Sequence, residues 1–185
     1  MKDWTDARFR TVALSAFVAL IVASVLLAWS DADLVRNKYP RSQELQRVSS
    51  AAVAACVVSE WGDRYKGPVT RGILIDTFVF IPSYVVLLAV CCFWCAKHME
   101  DEQIHRAAVY LGYAAVIAGV FDLIENTGML IELHAQRYGL APVTAGASGL
   151  KWMLAAIIVI FLVGVWLQRG SLLRQDGMHG QSDGG

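Results

Sequence analysis

Residues 107–133 read AAVYLGYAAVIAGVFDLIENTGMLIEL. The stretch is apolar as far as Phe121, and the apolar run then continues around Asp122, Glu125 and Asn126 to Leu133. A helix rises about 1.5 Å per residue, so about 20 mostly apolar residues are enough to cross a bilayer. Ala108, Gly112, Ala115, Gly119, Asp122 and Asn126 follow one another in steps of four and three, which puts them on one helix face. The first part of that stripe consists of small residues, the kind that let membrane helices approach closely. Its second part is Asp122 and Asn126, with Glu125 beside them. A charge at the bilayer centre costs about 2.5–3.5 kcal/mol even on insertion scales. The acidic pair is therefore expected to continue the packing face and to turn away from lipid, which makes this the central helix of a bundle.

Three other stretches have the same length and character. Residues 11–29 (TVALSAFVALIVASVLLAW) carry no charge, and residues 72–96 and 144–167 carry one each. Trp29, Trp94 and Trp166 fall near the ends of these stretches, where aromatic belts sit. The first stretch follows Arg8 and Arg10, as the core of a secretory leader would. Its apolar run exceeds the roughly 7–15 residues of such a core, so it is expected to remain as a span. The reading is an all-α polytopic membrane protein, with a four-helix membrane domain over residues 1–170 and a disordered Gly-rich, polar tail over 171–185.

Composition agrees. Of 185 residues, 56% are hydrophobic and only 17% charged, against about 25% charged in soluble domains. Lysine plus arginine and aspartate plus glutamate number 16 each. That balance excludes a nucleic-acid partner, which would need a basic surface.

The long connection between the first two spans, 30–71, contains a stretch rich in small residues. Leu45, Val48, Ala52, Ala55 and Cys56 recur at helical spacing, and Trp61-Gly62 closes the pattern. One short helix over 42–61 is expected, packed on the bundle or lying in the interface. Lys2, Arg8 and Arg10 precede span one, Lys97 and Arg106 flank the second connection, and Arg169 and Arg174 follow span four. The third connection carries only Arg137, although the first carries seven basic residues. Weighting the N-terminus and the short loops, positive-inside counting expects both termini in the cytoplasm.

The candidate site is the set of ionisable residues inside the apolar blocks: Asp76 in span two, Asp122 and Glu125 in span three, Lys151 in span four. Counting helix rise, Asp76 lies roughly 6 Å from its end of the membrane. Glu125 and Lys151 lie roughly 10–12 Å deep and Asp122 roughly 16 Å deep. Three helices thus present charge in one half of the bilayer. Lys151 is expected to pair with Asp122 or Glu125, and Tyr84 and Asn126 to serve as hydrogen-bond partners. Three carboxylates against one lysine leave an excess of acid, so either a carboxyl keeps a proton or a cation binds. Pro82, on span two, is expected to kink its helix.

Other signals are weaker. Cys91, Cys95 and His98 share a helix face and suit zinc or copper. Small buried cysteines are common in packed helices, and that reading is preferred, with no metal site expected. The Cys92-x-x-Cys95 spacing lacks the strand-to-helix context of a redox motif. His134, beside Glu132, is read as interfacial. No phosphate loop, nucleophile elbow or paired-histidine zinc motif is present, and no cofactor is identified.

Trp61-Gly62, Asp76 with Phe80 and Tyr84, Asp122-Leu123-Ile124-Glu125-Asn126 and Lys151-Trp152 together resemble small, uncharacterised bacterial integral membrane proteins with four spans. The resemblance covers residues 61–152. It implies the four-span fold, a bacterial inner membrane and the same polar residues, and no activity.

The function expected from these residues is non-enzymatic: a buried acid and lysine cluster that binds or conducts a proton, a cation or a small amphipathic molecule. The bilayer is the first partner. Four spans are few for a monomeric transporter, so a homo-oligomer is expected, with Ala145 and Gly149 offering a contact between copies. Two other readings compete. One is a membrane enzyme on a lipid-soluble substrate, with Asp122 or Glu125 as acid/base. The other is an assembly subunit whose charges only fix helix register.

Overall fold

The computed structural model describes the backbone of residues 4–179 and the side chains of residues 4–168. Its elements are α1 (Asp6–Arg36), α2 (Ser42–Arg47), α3 (Ala51–Ile75), a π-helical turn (Asp76–Phe80), α4 (Ile81–His98), α5 (Glu102–Ala135), a 3-10 turn (Tyr138–Leu140) and α6 (Ala141–His179). No strand occurs among the described residues. Four helical stretches are long and apolar enough to cross a membrane: Asp6–Arg36, Ala51–His98, Glu102–Ala135 and Tyr138–Gln168. They contain the four stretches expected from sequence and extend them into the flanking polar residues. The expected disordered tail falls partly in the last turns of α6, whose backbone is helical to His179, and partly in residues 180–185, outside the described residues.

Local chemistry sets the helix ends. The Thr5 hydroxyl accepts from the Arg8 N–H, and Asp101 accepts from the N–H groups of Gln103 (2.8 Å) and Ile104 (3.1 Å), capping α1 and α5. Gln136 ends α5 in the left-handed conformation.

The connection expected to hold one short helix holds two. Val48 is extended (φ −81°, ψ 118°), as is Ser50, and this break separates α2 from α3. Serines compete for backbone hydrogen bonds and favour helix starts over helix interiors. α3 then runs past the expected end at Trp61-Gly62 to Ile75, and on through the π turn into α4. Gly62 itself is non-helical, at φ 55° and ψ −169°, a conformation that suits glycine alone. The two-residue signal thus marks a sharp bend. Trp61, 1% exposed, donates from its indole N–H to the Pro40 carbonyl at 2.7 Å and fastens the loop before α2.

The expected kink at Pro82 takes the form of the π turn just before it. Proline has no N–H to give the carbonyl four residues back, and its ring crowds that carbonyl. The turn widens instead, and the Ile81 N–H reaches back five residues to the Asp76 carbonyl.

α4 and α5 pack along each other, as do α5 and α6, while α1 lies against α4 and α3. α1 and α6 flank the central pair without close packing on each other. Their most apolar windows are only 11% buried, against 33% for the two inner spans. Large apolar side chains such as Leu14, Val25, Ile160 and Trp166 face outward. Gly112 and Gly119 show why small residues line α5: a Cβ on them would lie 2.7 Å from Phe93 and 2.6 Å from Val85 of α4. At the α2 end, Leu34, Leu45, Val58, Trp61, Met129 and Leu133 form an apolar core that seats α2 and α3 on the bundle.

Candidate functional site

All six residues singled out from sequence meet in one place. Lys151 of α6 hydrogen-bonds Asp122 of α5, and its Nζ lies 2.8 Å from Oε2 of Glu125 one turn further along. Both carboxylates are therefore partners of the lysine. The Tyr84 hydroxyl of α4 donates to the other Asp122 oxygen at 2.9 Å. The Asn126 amide donates to Asp76 Oδ2 at 2.7 Å and to the Thr77 hydroxyl at 2.9 Å, joining the π turn to α5. Asp122, Glu125, Asn126 and Lys151 are each less than 10% exposed. Buried ions require partners of this kind, since each costs several kcal/mol to strip of water. Asp122, Glu125 and Asn126 come from the single polar face of α5, so the helical spacing itself builds half of the cluster.

The cluster lies at the bottom of a cleft of about 540 Å³ between α1 and α6. Asp76, Asn126 and Lys151 contribute its floor, Leu27, Ala28, Ile73, Phe80, Met129 and Trp152 its apolar sides, and α2 its outer end. Ligand sites commonly occupy about 300–1,000 Å³ and combine apolar walls with a few polar groups. Glu125 and Asp122 sit behind the floor, out of the cleft.

Sequence reading missed several of these groups. Glu132, read with His134 as interfacial, is fully buried and accepts from the Thr144 hydroxyl of α6 at 3.0 Å. The signal was present: Glu132 follows Glu125 by seven residues, and Thr144 and Ser148 precede Lys151 by seven and three, so both stripes continue to the membrane end. The part of α2 in the cleft had no signal, because it depends on how the chain folds back between α1 and α3.

The weaker candidates fall elsewhere. His134 meets the Thr70 hydroxyl at 2.8 Å at the end of α5. The Trp94 carbonyl accepts from His98 Nδ1 at 2.9 Å, and the ring's Nε2 faces Asp6 of α1 at 3.3 Å. Cys92 and Cys95 are buried between α4, α5 and α6. Among the described residues, no three histidine, cysteine or acidic side chains converge as metal ligands would. No protein-family model, no curated protein and no solved structure matches the chain.

Proposed function

We propose that this chain is a non-catalytic integral membrane protein that binds a small amphipathic molecule in the cleft between α1 and α6, over a floor of Asp76, Asn126 and Lys151. The observation that carries the reading is that the buried charges reach an open cleft. A network that only fixed helix register would gain nothing from that opening.

Two arrangements favour binding over the other readings. Beyond Asp122, the buried face of α5 offers only Ala118, Gly119, Ala115, Gly112 and Ala108 toward its N-terminal end. A conducted ion would find no polar side chain on that face of α5 across that half, which favours a blind pocket over a path. For an enzyme, Asp122 or Glu125 would be the acid/base, yet both Asp122 oxygens are held, by Lys151 and Tyr84, and Glu125 lies against Lys151 outside the cleft. The lysine also takes the centre of the cluster, where a bare metal cation would need its carboxylates.

In this reading the membrane is a bacterial inner membrane, with both termini cytoplasmic. A second copy would pack on α6, where a methyl group added at Gly149 meets no atom within 4 Å.

The test is native mass spectrometry from mild detergent. The wild type is expected to retain an additional mass, and Ala28→Trp, which fills the cleft from α1, to lose it. Glu125→Gln should weaken retention by loosening Lys151. A wild-type protein that flies bare sinks the reading.

A further inference from the structure

The floor of the cleft is already satisfied from within. Asp76 has Asn126, and Lys151 has Asp122 and Glu125. The unsatisfied charge lies at the outer end. Arg41, just before α2, and Arg47, its last residue, both line the cleft, both are exposed, and neither makes an ion pair among the described residues. Two carboxylates stand beside them: Asp31 is taken up by the Ser42 hydroxyl, 3.0 Å from each of its oxygens, and Glu44 accepts from the Arg41 N–H at 3.4 Å. The two guanidinium groups therefore line the cleft mouth beside carboxylates that are already hydrogen-bonded.

Their depth matches. α2 follows the end of α1, so it lies where a spanning helix leaves the hydrocarbon. The cleft runs along α1 from Ser24 to Val35, roughly 16 Å of helix, from inside the first span to beyond its end at Trp29. Leu27, Ala28 and Val35 are its apolar residues along that length, and Ser24 and Asp31 its polar ones. Arginine is the side chain best suited to phosphate, through its planar fork of donors.

We infer that the occupant of the cleft is a phosphate-bearing lipid, its headgroup phosphate held by Arg41 and Arg47 and one chain lying between α1 and α6. The acid-rich cluster behind the floor suggests a cationic ligand at first sight, and the distribution of unmet charge points the other way. The inference rests on the proposed reading of the cleft as a ligand site and adds the chemistry of its ligand.

The full chain in mild detergent is offered phosphatidylglycerol or the phosphate-free diacylglycerol with the same acyl chains, and retention is read by native mass spectrometry. Three proteins are compared: wild type, Arg41→Gln/Arg47→Gln and Ala28→Trp. Two charge contacts near the membrane surface are together worth roughly tenfold or more in retention. The wild type should prefer phosphatidylglycerol by that factor. The double variant should lose the preference with an unchanged melting temperature, and Ala28→Trp should retain neither lipid. Equal retention of both lipids by the wild type, or a preference surviving in the double variant, overturns the phosphate assignment and leaves cleft binding standing. Lipid retained by Ala28→Trp as by the wild type overturns the cleft itself. Displacement of phosphatidylglycerol by glycerol phosphate at equal concentration would show a water-soluble phosphate as occupant and overturn the lipid assignment.

Discussion

Asn126 of α5 donates a hydrogen bond of 2.7 Å to Asp76 in the π turn, fifty residues earlier in the chain. It joins Asp76 to the face of α5 that carries the acid and lysine cluster, and it adds a second bond to Thr77. A neutral hydrogen bond contributes about 0.5–1.5 kcal/mol and one to a charged group about 1.5–3 kcal/mol. Asn126→Ala is therefore expected to lower stability by about 2–4 kcal/mol, measured by thermal or denaturant unfolding in detergent. Asn126→Asp should be worse, since it sets a second carboxylate against Asp76. An Asn126→Ala variant as stable as the wild type would disprove the bond's role.

Lys151 is the single cation among three carboxylates. Removing one member of a buried ion pair typically costs about 3–5 kcal/mol because the survivor keeps its desolvation cost. Lys151→Met should therefore destabilise strongly. Adding Asp122→Asn and Glu125→Gln should restore much of the loss, because the stranded charges go with it. A triple variant as unstable as Lys151→Met would mean that the lysine acts through its packing and not its charge.

Glu132 and Thr144 form a separate buried pair between α5 and α6. Thr144→Val keeps the shape and removes the donor, leaving a Glu132 carboxyl whose other oxygen already has no hydrogen-bond partner. The expected cost is about 1–3 kcal/mol. Glu132→Leu combined with Thr144→Val should be milder than Thr144→Val alone. The opposite order would show that the glutamate stabilises the bundle by itself.

Cys56 is exposed near the start of α3, while Cys92 and Cys95 are buried. With the termini in the cytoplasm, the α2–α3 connection faces outward. A membrane-impermeant maleimide should then label a chain whose other cysteines are replaced by alanine at Cys56 from outside intact spheroplasts. Labelling only after lysis would reverse the proposed orientation.

The spans, the central place of α5 and the members of the polar cluster could be read from residue order alone, because helical periodicity fixes which side chains share a face. Lys151 with Asp122 and Glu125 follows from that, since three apolar helices carrying charge at one depth have few ways to bury it. The cleft could not be read that way. It exists because α1 and α6 stay apart and α2 folds across their end, and those placements depend on Val48 breaking one expected helix into two and on Gly62 bending the next. Arg41 and Arg47 look like ordinary loop residues until α2 turns them toward the space between the helices. Glu132 was overlooked for a different reason: beside His134 it resembled a solvated helix end, although its spacing from Glu125 marks it as part of the buried stripe.

The π turn before Pro82 also changes how this helix counts. Asp76 and Tyr84 are eight positions apart, and at about 100° per residue a regular helix would set them roughly 80° out of line. The wide turn absorbs one residue, so the two behave as if seven apart, within about 20° of one direction, and both reach α5. The turn is thus equivalent to a one-residue insertion carried in a seven-residue repeat. The chain can lose a residue here and keep both side chains facing their partners, but it has no slack to gain one.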